Sequence, residues 1–354
     1  MVSSCRLCAA AALILRTAGD LRFPDYVPGF AESEACLPKV SQAQPVFSTT
    51  ELDSKLQQVA DASGIVVFSV FVNTGDMTEE SRFAAQLEHW MCRTRSVFGR
   101  DFLVFVDSER SRQRWEGDYG ITAFFSRSWI QEVFTGPSKG EIHDSNYWRW
   151  AAMESILRAG YTSLYVDTDI LWIQDARPHL EALQTDVDFF GSCDAYDGRN
   201  GSIRWFRDGA LNMDHLREEA RLHDGESVCC QGELVPVNAG VIFMRPSSAA
   251  ISAVQRFRER IFSGPCWGQA AMHWSLFELC GSKLSCEMLD PLLFASASPL
   301  RSALRKDPQT ASRARPALIH LDVSAKGKAT QYFEGFFGTP PACAKYGRGK
   351  ASEL

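Results

Sequence analysis

Along the first half of the chain, short apolar runs alternate with stretches whose apolar residues recur at helical spacing. Ile65–Val72 is a β-branched and aromatic run interrupted only by Ser69, which predicts a strand buried on both faces. Asn73, Thr74 and Gly75 give a turn signal at its end. From Glu79 to Phe98 the residues Phe83, Leu87, Trp90, Met91 and Val97 predict a helix. Phe102–Val106 predicts a second strand and Ile121–Phe125 a third. Asp144–Ala159 predicts a helix, capped by Asp144 or Ser145 and stopped by Gly160. Thr162–Val166 predicts the next strand.

The second half is less regular. Val187–Cys193 predicts a strand ending at Asp194, Pro236–Met244 another, and Ser247–Phe262 and Gln269–Cys280 helices. Residues 196–235 are polar, with one helical stretch at Met213–Leu222; so long a connection reads as a functional loop over a site, one that selects the acceptor. Arg301, Arg305, Lys306, Arg313 and Arg315 among Ser, Ala and Pro read as a solvated loop over 301–316. Strand–helix–strand alternation predicts an α/β fold with a mostly parallel, Rossmann-type sheet flanked by helices. Ligands of such sheets bind at the C-terminal strand ends.

Composition adds the compartment and excludes one partner class. The 354 residues are ordinary for a globular chain, and a net charge of −6 argues against nucleic acid as the main partner. Arg6, an apolar run from Leu7 to Leu15 and small residues at 17–19 read as a secretory leader over 1–19. Uncleaved, it would be a weak anchor; a buried helix or a transit peptide are the alternatives. The run is too short for a bilayer core of about 30 Å, and no later segment reads as membrane-spanning. Residues 20–50 read as a linker or stem, 51–340 as the main domain and 341–354 as a tail. Of eleven cysteines, nine follow the leader, none at zinc spacing; the 229–286 region holds the expected disulfide candidates. Asn200-Gly201-Ser202 is a glycosylation acceptor pattern if the chain is secreted.

The chemistry concentrates at Leu164-Tyr165-Val166-Asp167-Thr168-Asp169-Ile170-Leu171-Trp172. Strand side chains alternate faces, so on a continuous strand Asp167 and Asp169 point the same way. Two adjacent carboxylates repel unless a cation neutralises them, and hard oxygen ligands suit Mg²⁺ or Mn²⁺. A cation at a strand's C-terminal end can hold a diphosphate.

Asn146-Tyr147-Trp148-Arg149-Trp150, the Gly160–Ile173 block, and Val237-Asn238-Ala239-Gly240-Val241-Ile242-Phe243-Met244 together resemble the nucleotide-diphospho-sugar transferase family. This is the GT-A-fold group that includes plant cell-wall arabinosyl- and xylosyltransferases. Leu318-Ile319-His320-Leu321-Asp322, with Lys326 and Lys328, is a weaker third block. The resemblance implies a GT-A-like fold with an acceptor-side C-terminal half, and transfer of a sugar from a UDP-sugar to a glycan or glycoprotein with retention. It implies Mn²⁺ or Mg²⁺ on Asp167, Asp169 and His320, with Asp167, Asp169 and Asn238 catalytic. Val70, Asn73, Thr74, Arg149, Thr168 and Lys328 are the implied nucleotide and phosphate contacts. Asp194, Asn238, Gly240 and Gln269 are the implied sugar contacts. Two positions depart from the family pattern: Gly268 precedes Gln269 where Asp is usual, and Asp322 replaces Asn. Retaining members of the fold are thought to let the leaving phosphate assist acceptor deprotonation, and no lone carboxylate here nominates itself as a base. The expected location is the Golgi or endomembrane lumen, or outside the cell.

Three alternatives share parts of the pattern. A haloacid-dehalogenase-type phosphatase also uses Asp-x-Asp, but wants Thr where Leu171 stands. A sugar nucleotidyltransferase wants a basic Gly-rich loop, which Asn73-Thr74-Gly75-Asp76 does not supply. A catalytically silent carbohydrate-binding relative would not need Asp167, Asp169, Asn238 and His320 together.

Overall fold

The computed structural model describes residues 49–72, 89–133, 145–193, 206–207, 210–211, 237–263, 268–280, 283–290, 292–321 and 326–338. The leader, most of the stem, the Met213–Leu222 stretch, the Asn200 acceptor pattern and the tail lie outside these residues.

Helix α1 (Thr50–Val59) is capped by the Thr49 hydroxyl, which accepts from Leu52 N at 3.1 Å. It leads into strand β1 (Ile65–Phe71). Helix α2 (89–98), β2 (Leu103–Val106), α3 (Glu109–Gly117), β3 (Thr122–Phe124) and α4 (Arg127–Val133) follow. Then come α5 (Ser145–Arg158), β4 (Thr162–Val166), β5 (Ile170–Trp172), α6 (Arg177–Glu181) and β6 (Phe189–Cys193). Strands β7 (Phe206–Arg207) and β8 (Ala210–Leu211) pair antiparallel inside the segment expected to be a loop. Strand β9 (Val237–Met244), α7 (Ser248–Ser263), α8 (Gly268–Leu279), β10 (Cys286–Met288) and β11 (Phe294–Ser296) come next. Helices α9 (Ala297–Lys306) and α10 (Thr310–Arg313), β12 (Leu318–His320) and α11 (Lys326–Phe337) close the order.

The main sheet runs β10-β6-β9-β4-β1-β2-β3. Its pairs are parallel except where β9 meets β4 and β6, so β9 alone runs against the other six. This is the α/β, mostly parallel sheet that the alternation predicts. Strand β1 shows why its sequence carries no polar face. Val66, Phe68 and Val70 enter the core on one side, with α1, α4, α5, α7 and α8. Ile65 and Val67 enter the core on the other side, with α2, α3, α6 and the small sheet. Period-two alternation with both faces apolar is the mark of a central strand.

The small sheet, β11-β12-β5, departs from expectation. Strand β4 stops at Val166, and Asp167-Thr168-Asp169 is a turn into β5, which belongs to this second sheet. The two carboxylates therefore are not alternating residues of one strand. The 301–316 reading is corrected as well. Residues 301–306 continue α9, and α10 follows, because Ala297, Leu300, Leu304 and Ala314 form an apolar face that is buried with Phe333 of α11. Arg305, Lys306 and Arg315 are exposed, and the density of basic residues hid the i, i+4 spacing of Leu300 and Leu304.

Cys280 and Cys286 form a disulfide joining the end of α8 to β10, in the region where pairing was expected. No helix among the described residues is long and apolar enough to cross a membrane. Helix α5 ends at Gly160, whose φ of +86° suits the left-handed stop. It is locked to α7 by a buried polar network. Glu154, fully buried, accepts from Arg258, from Gln255 Nε2 at 3.0 Å and from Arg158 Nε at 2.8 Å. Arg258 also donates to Tyr147 OH at 2.6 Å. Removing Glu154 strands the Arg258 charge in the interior. Glu154→Ala is therefore expected to cost about 3–5 kcal/mol of stability, read by denaturant unfolding. A loss below about 1 kcal/mol would mean that water reaches Arg258 when its partner goes.

Candidate functional site

The Asp167–Asp169 turn is held from both sides by backbone. Asp167 N donates to Gly240 O at 2.8 Å, and Leu321 N donates to Asp169 O at 2.9 Å. The first bond ties the turn to β9 in the main sheet, the second to the end of β12 in the small sheet. His320, the last residue of β12, stands opposite Ile170 in the antiparallel register with β5. That register brings its ring to the turn. Its Nε2 lies 3.2 Å from Asp169 Oδ1 and 4.0 Å from Asp167 Oδ2. One ligand atom from each of the three residues lies within 4.8 Å of the other two.

Gly240 forms the floor of this cluster. A methyl group there would sit 2.8 Å from each of Asn238 Oδ1, Asp167 Oδ2 and His320 Nε2. The lack of a side chain leaves a cradle lined by two carboxylates, an imidazole nitrogen and an amide oxygen. Those donors fit Mn²⁺ or Mg²⁺. Asn238 Oδ1 also accepts from Gly240 N at 2.5 Å, which fixes the amide. Asn238 faces Ser192 across a register shift between Gly191 and Ser192 of β6. Asp169 and Asn238 are both buried, at 8% and 7% exposed.

Arg149, in the first half of α5, is buried rather than on the helix surface. Its Nη1 donates to Ala239 O at 2.6 Å and its Nη2 to Asp167 Oδ1 at 3.2 Å. The guanidinium lies over the Tyr165 ring, 4.4 Å from its centroid. Tyr165 OH donates to the same Asp167 oxygen. Burial pushes this phenol well above its ordinary pKa, and the neighbouring carboxylate raises it further, so it keeps its proton.

Val70 is buried in the core beneath α5, near the end of β1. Thr168 is half-buried in the turn itself. Gln269 falls in the first turn of α8 and Lys328 in the first turn of α11. Asn73, Thr74, Asp194 and Asp322 lie outside the described residues. The structure thus gathers Asp167, Asp169, Arg149, Asn238, Gly240 and His320 from four elements. Sequence reasoning missed Tyr165, which reads as one more apolar strand residue. Its place two positions before Asp167 was the available signal.

The family model of the nucleotide-diphospho-sugar transferases matches residues 130–331, a span that takes in every one of these gathered residues. The chain belongs to that family. It is 21% identical over 206 residues to the arabinosyltransferase RRA2 of Arabidopsis thaliana, covering 56% of this chain and 44% of the relative. The chain therefore spans less than half the length of that relative. Among solved structures it resembles the WbbM bifunctional glycosyltransferase (TM-score 0.49, 13% identity, 81% of this chain and 52% of that one). It also resembles the galactosyltransferase LgtC (0.42, 15%, 79% and 99%) and mouse xyloside xylosyltransferase 1 (0.40, 13%, 73% and 98%).

A side chain at Gly240 forces Asp167, Asn238 or His320 to move. In Gly240→Ala, the rise in melting temperature on adding Mn²⁺ is expected to shrink to a small fraction of the wild-type rise. An equal rise in both proteins would show that the cradle accepts a methyl group.

Proposed function

We propose that the chain is a metal-dependent glycosyltransferase that moves a sugar, with retention, from a UDP-sugar to a glycan or glycoprotein. The observation that carries this reading is the convergence of Asp167, Asp169 and His320 on the cradle above Gly240. Two carboxylates and a neutral imidazole would hold Mn²⁺ or Mg²⁺, with His320 offering Nε2. A cation bound there supplies Lewis-acid stabilisation of the charge that grows on a departing diphosphate.

The chain's own residues set where that charge can sit. Asp167 and Asp169 offset the cation from one side, so the diphosphate is accepted from the other. Asn238, with its carbonyl oxygen on the cradle, presents an amide that can both donate to and accept from sugar hydroxyls. Gly240 admits the donor close to the backbone. Lys328, at the start of α11, and Thr168, in the turn, are the proposed phosphate contacts; Val70, Asn73 and Thr74 are the proposed contacts to base and ribose. Arg149, which bonds Ala239 O and Asp167 Oδ1, is a further proposed phosphate contact. Asp194 and Gln269 complete the proposed sugar pocket.

The Cys280–Cys286 disulfide supports an oxidising compartment, and the reading places the enzyme in the endomembrane lumen or outside the cell. Residues 1–19 remain the proposed leader or anchor and 51–340 the transferase domain.

Calorimetry tests the core of this reading. UDP is expected to bind with Mn²⁺ and weakly without it, and Asp169→Asn is expected to abolish the Mn²⁺-dependent part and lower transfer by at least about 100-fold while the protein stays folded. Undiminished transfer by Asp169→Asn would remove this residue from the site. A folded wild type inert to UDP and GDP alike would favour the silent carbohydrate-binding relative.

A further inference from the structure

We propose that Tyr165, together with Arg149, limits Asp167 to offering a cation a single oxygen, and so makes the site choose a small six-coordinate cation over Ca²⁺. The inference rests on the reading of Asp167, Asp169 and His320 as cation ligands.

The two oxygens of Asp167 are treated differently by the fold. Oδ1 accepts from Tyr165 OH and, at 3.2 Å, from Arg149 Nη2. Oδ2 points to the cradle, 2.8 Å from where a Gly240 methyl would be. A carboxylate has about four lone-pair sites over its two oxygens, so two donors occupy those of Oδ1. The guanidinium beside Oδ1 also repels a second positive charge. A cation in the cradle therefore meets Oδ2 alone.

The clamp is rigid for reasons visible in the packing. The Tyr165 ring lies edge-on to Phe68, with centroids 5.4 Å apart, and is covered on its face by Arg149. Arg149 is anchored in turn to Ala239 O. Asp167 cannot swing both oxygens into the cradle without breaking two partly buried bonds. Ca²⁺ takes six to eight oxygen ligands and commonly a carboxylate bound through both oxygens. A one-oxygen carboxylate beside an imidazole suits Mn²⁺ better. On this inference Tyr165 and Arg149 are positioning residues that act through Asp167.

The test is titration calorimetry of Mn²⁺ and Ca²⁺ on the full chain as wild type, Tyr165→Phe, Arg149→Lys and Asp169→Asn. Tyr165→Phe keeps the ring against Phe68 and removes one donor. It is expected to weaken Mn²⁺ binding by about 10-fold or more, as loss of an outer-shell partner does. Ca²⁺ binding is expected to hold or improve, so the Mn²⁺/Ca²⁺ affinity ratio falls. A merely structural loss would weaken both cations together and leave the ratio unchanged, which overturns the proposal. Should Tyr165→Phe fail to fold, the same ratio in Arg149→Lys decides. Binding lost in Asp169→Asn but unchanged in Tyr165→Phe sinks the clamp alone. Mn²⁺ binding that survives Asp169→Asn sinks the cation reading beneath it.

Discussion

The fold depends on placing two carboxylates side by side at the junction of two sheets. Their repulsion must be offset, and the chain does this with neighbours fixed by backbone bonds. Gly240 O holds one end of the turn and Leu321 N the other. The main sheet thereby supplies Asn238 and Gly240, the small sheet supplies His320, and α5 supplies Arg149. The antiparallel course of β9 matters here: its first half reaches the C-terminal end of β4, where every parallel neighbour would only be ending.

Much of this was legible in the sequence. The central strands β1, β2, β4 and β9 are mostly apolar because both their faces are buried, although Ser69, Ser163 and Asn238 interrupt them, and such runs stand out from the helices between them. The Asp167–Asp169 pair, the Asn238–Gly240 block and His320 were each recognisable, and the fold brings them together. The reason given for the pair was the weaker part. Alternation along one strand would align the carboxylates, yet β4 ends at Val166 and the alignment comes from a turn clamped at both ends.

What the sequence hid has a common physical origin. Strands β5, β11 and β12 are three residues each, too short for any period to declare itself. Helix α9 buries a narrow face under a dense basic surface, which reads as solvated chain when only composition is weighed. Tyr165 is apolar by ring and polar by one atom, and only the partner of that atom shows which property matters. The burial of Arg149 was hidden because charged residues are seldom buried unless paired, and its partners Ala239 and Asp167 are distant in sequence.

The small sheet also sets an order of events in the making of the protein. Strand β5 leaves the ribosome directly after the carboxylate turn, but its partner β12 and the imidazole at its end follow only after residues 173–317. Until then the turn lacks its second backbone tether and the imidazole beside its carboxylates. The cluster of Asp167, Asp169 and His320 is thus completed only once the second sheet has closed on the first.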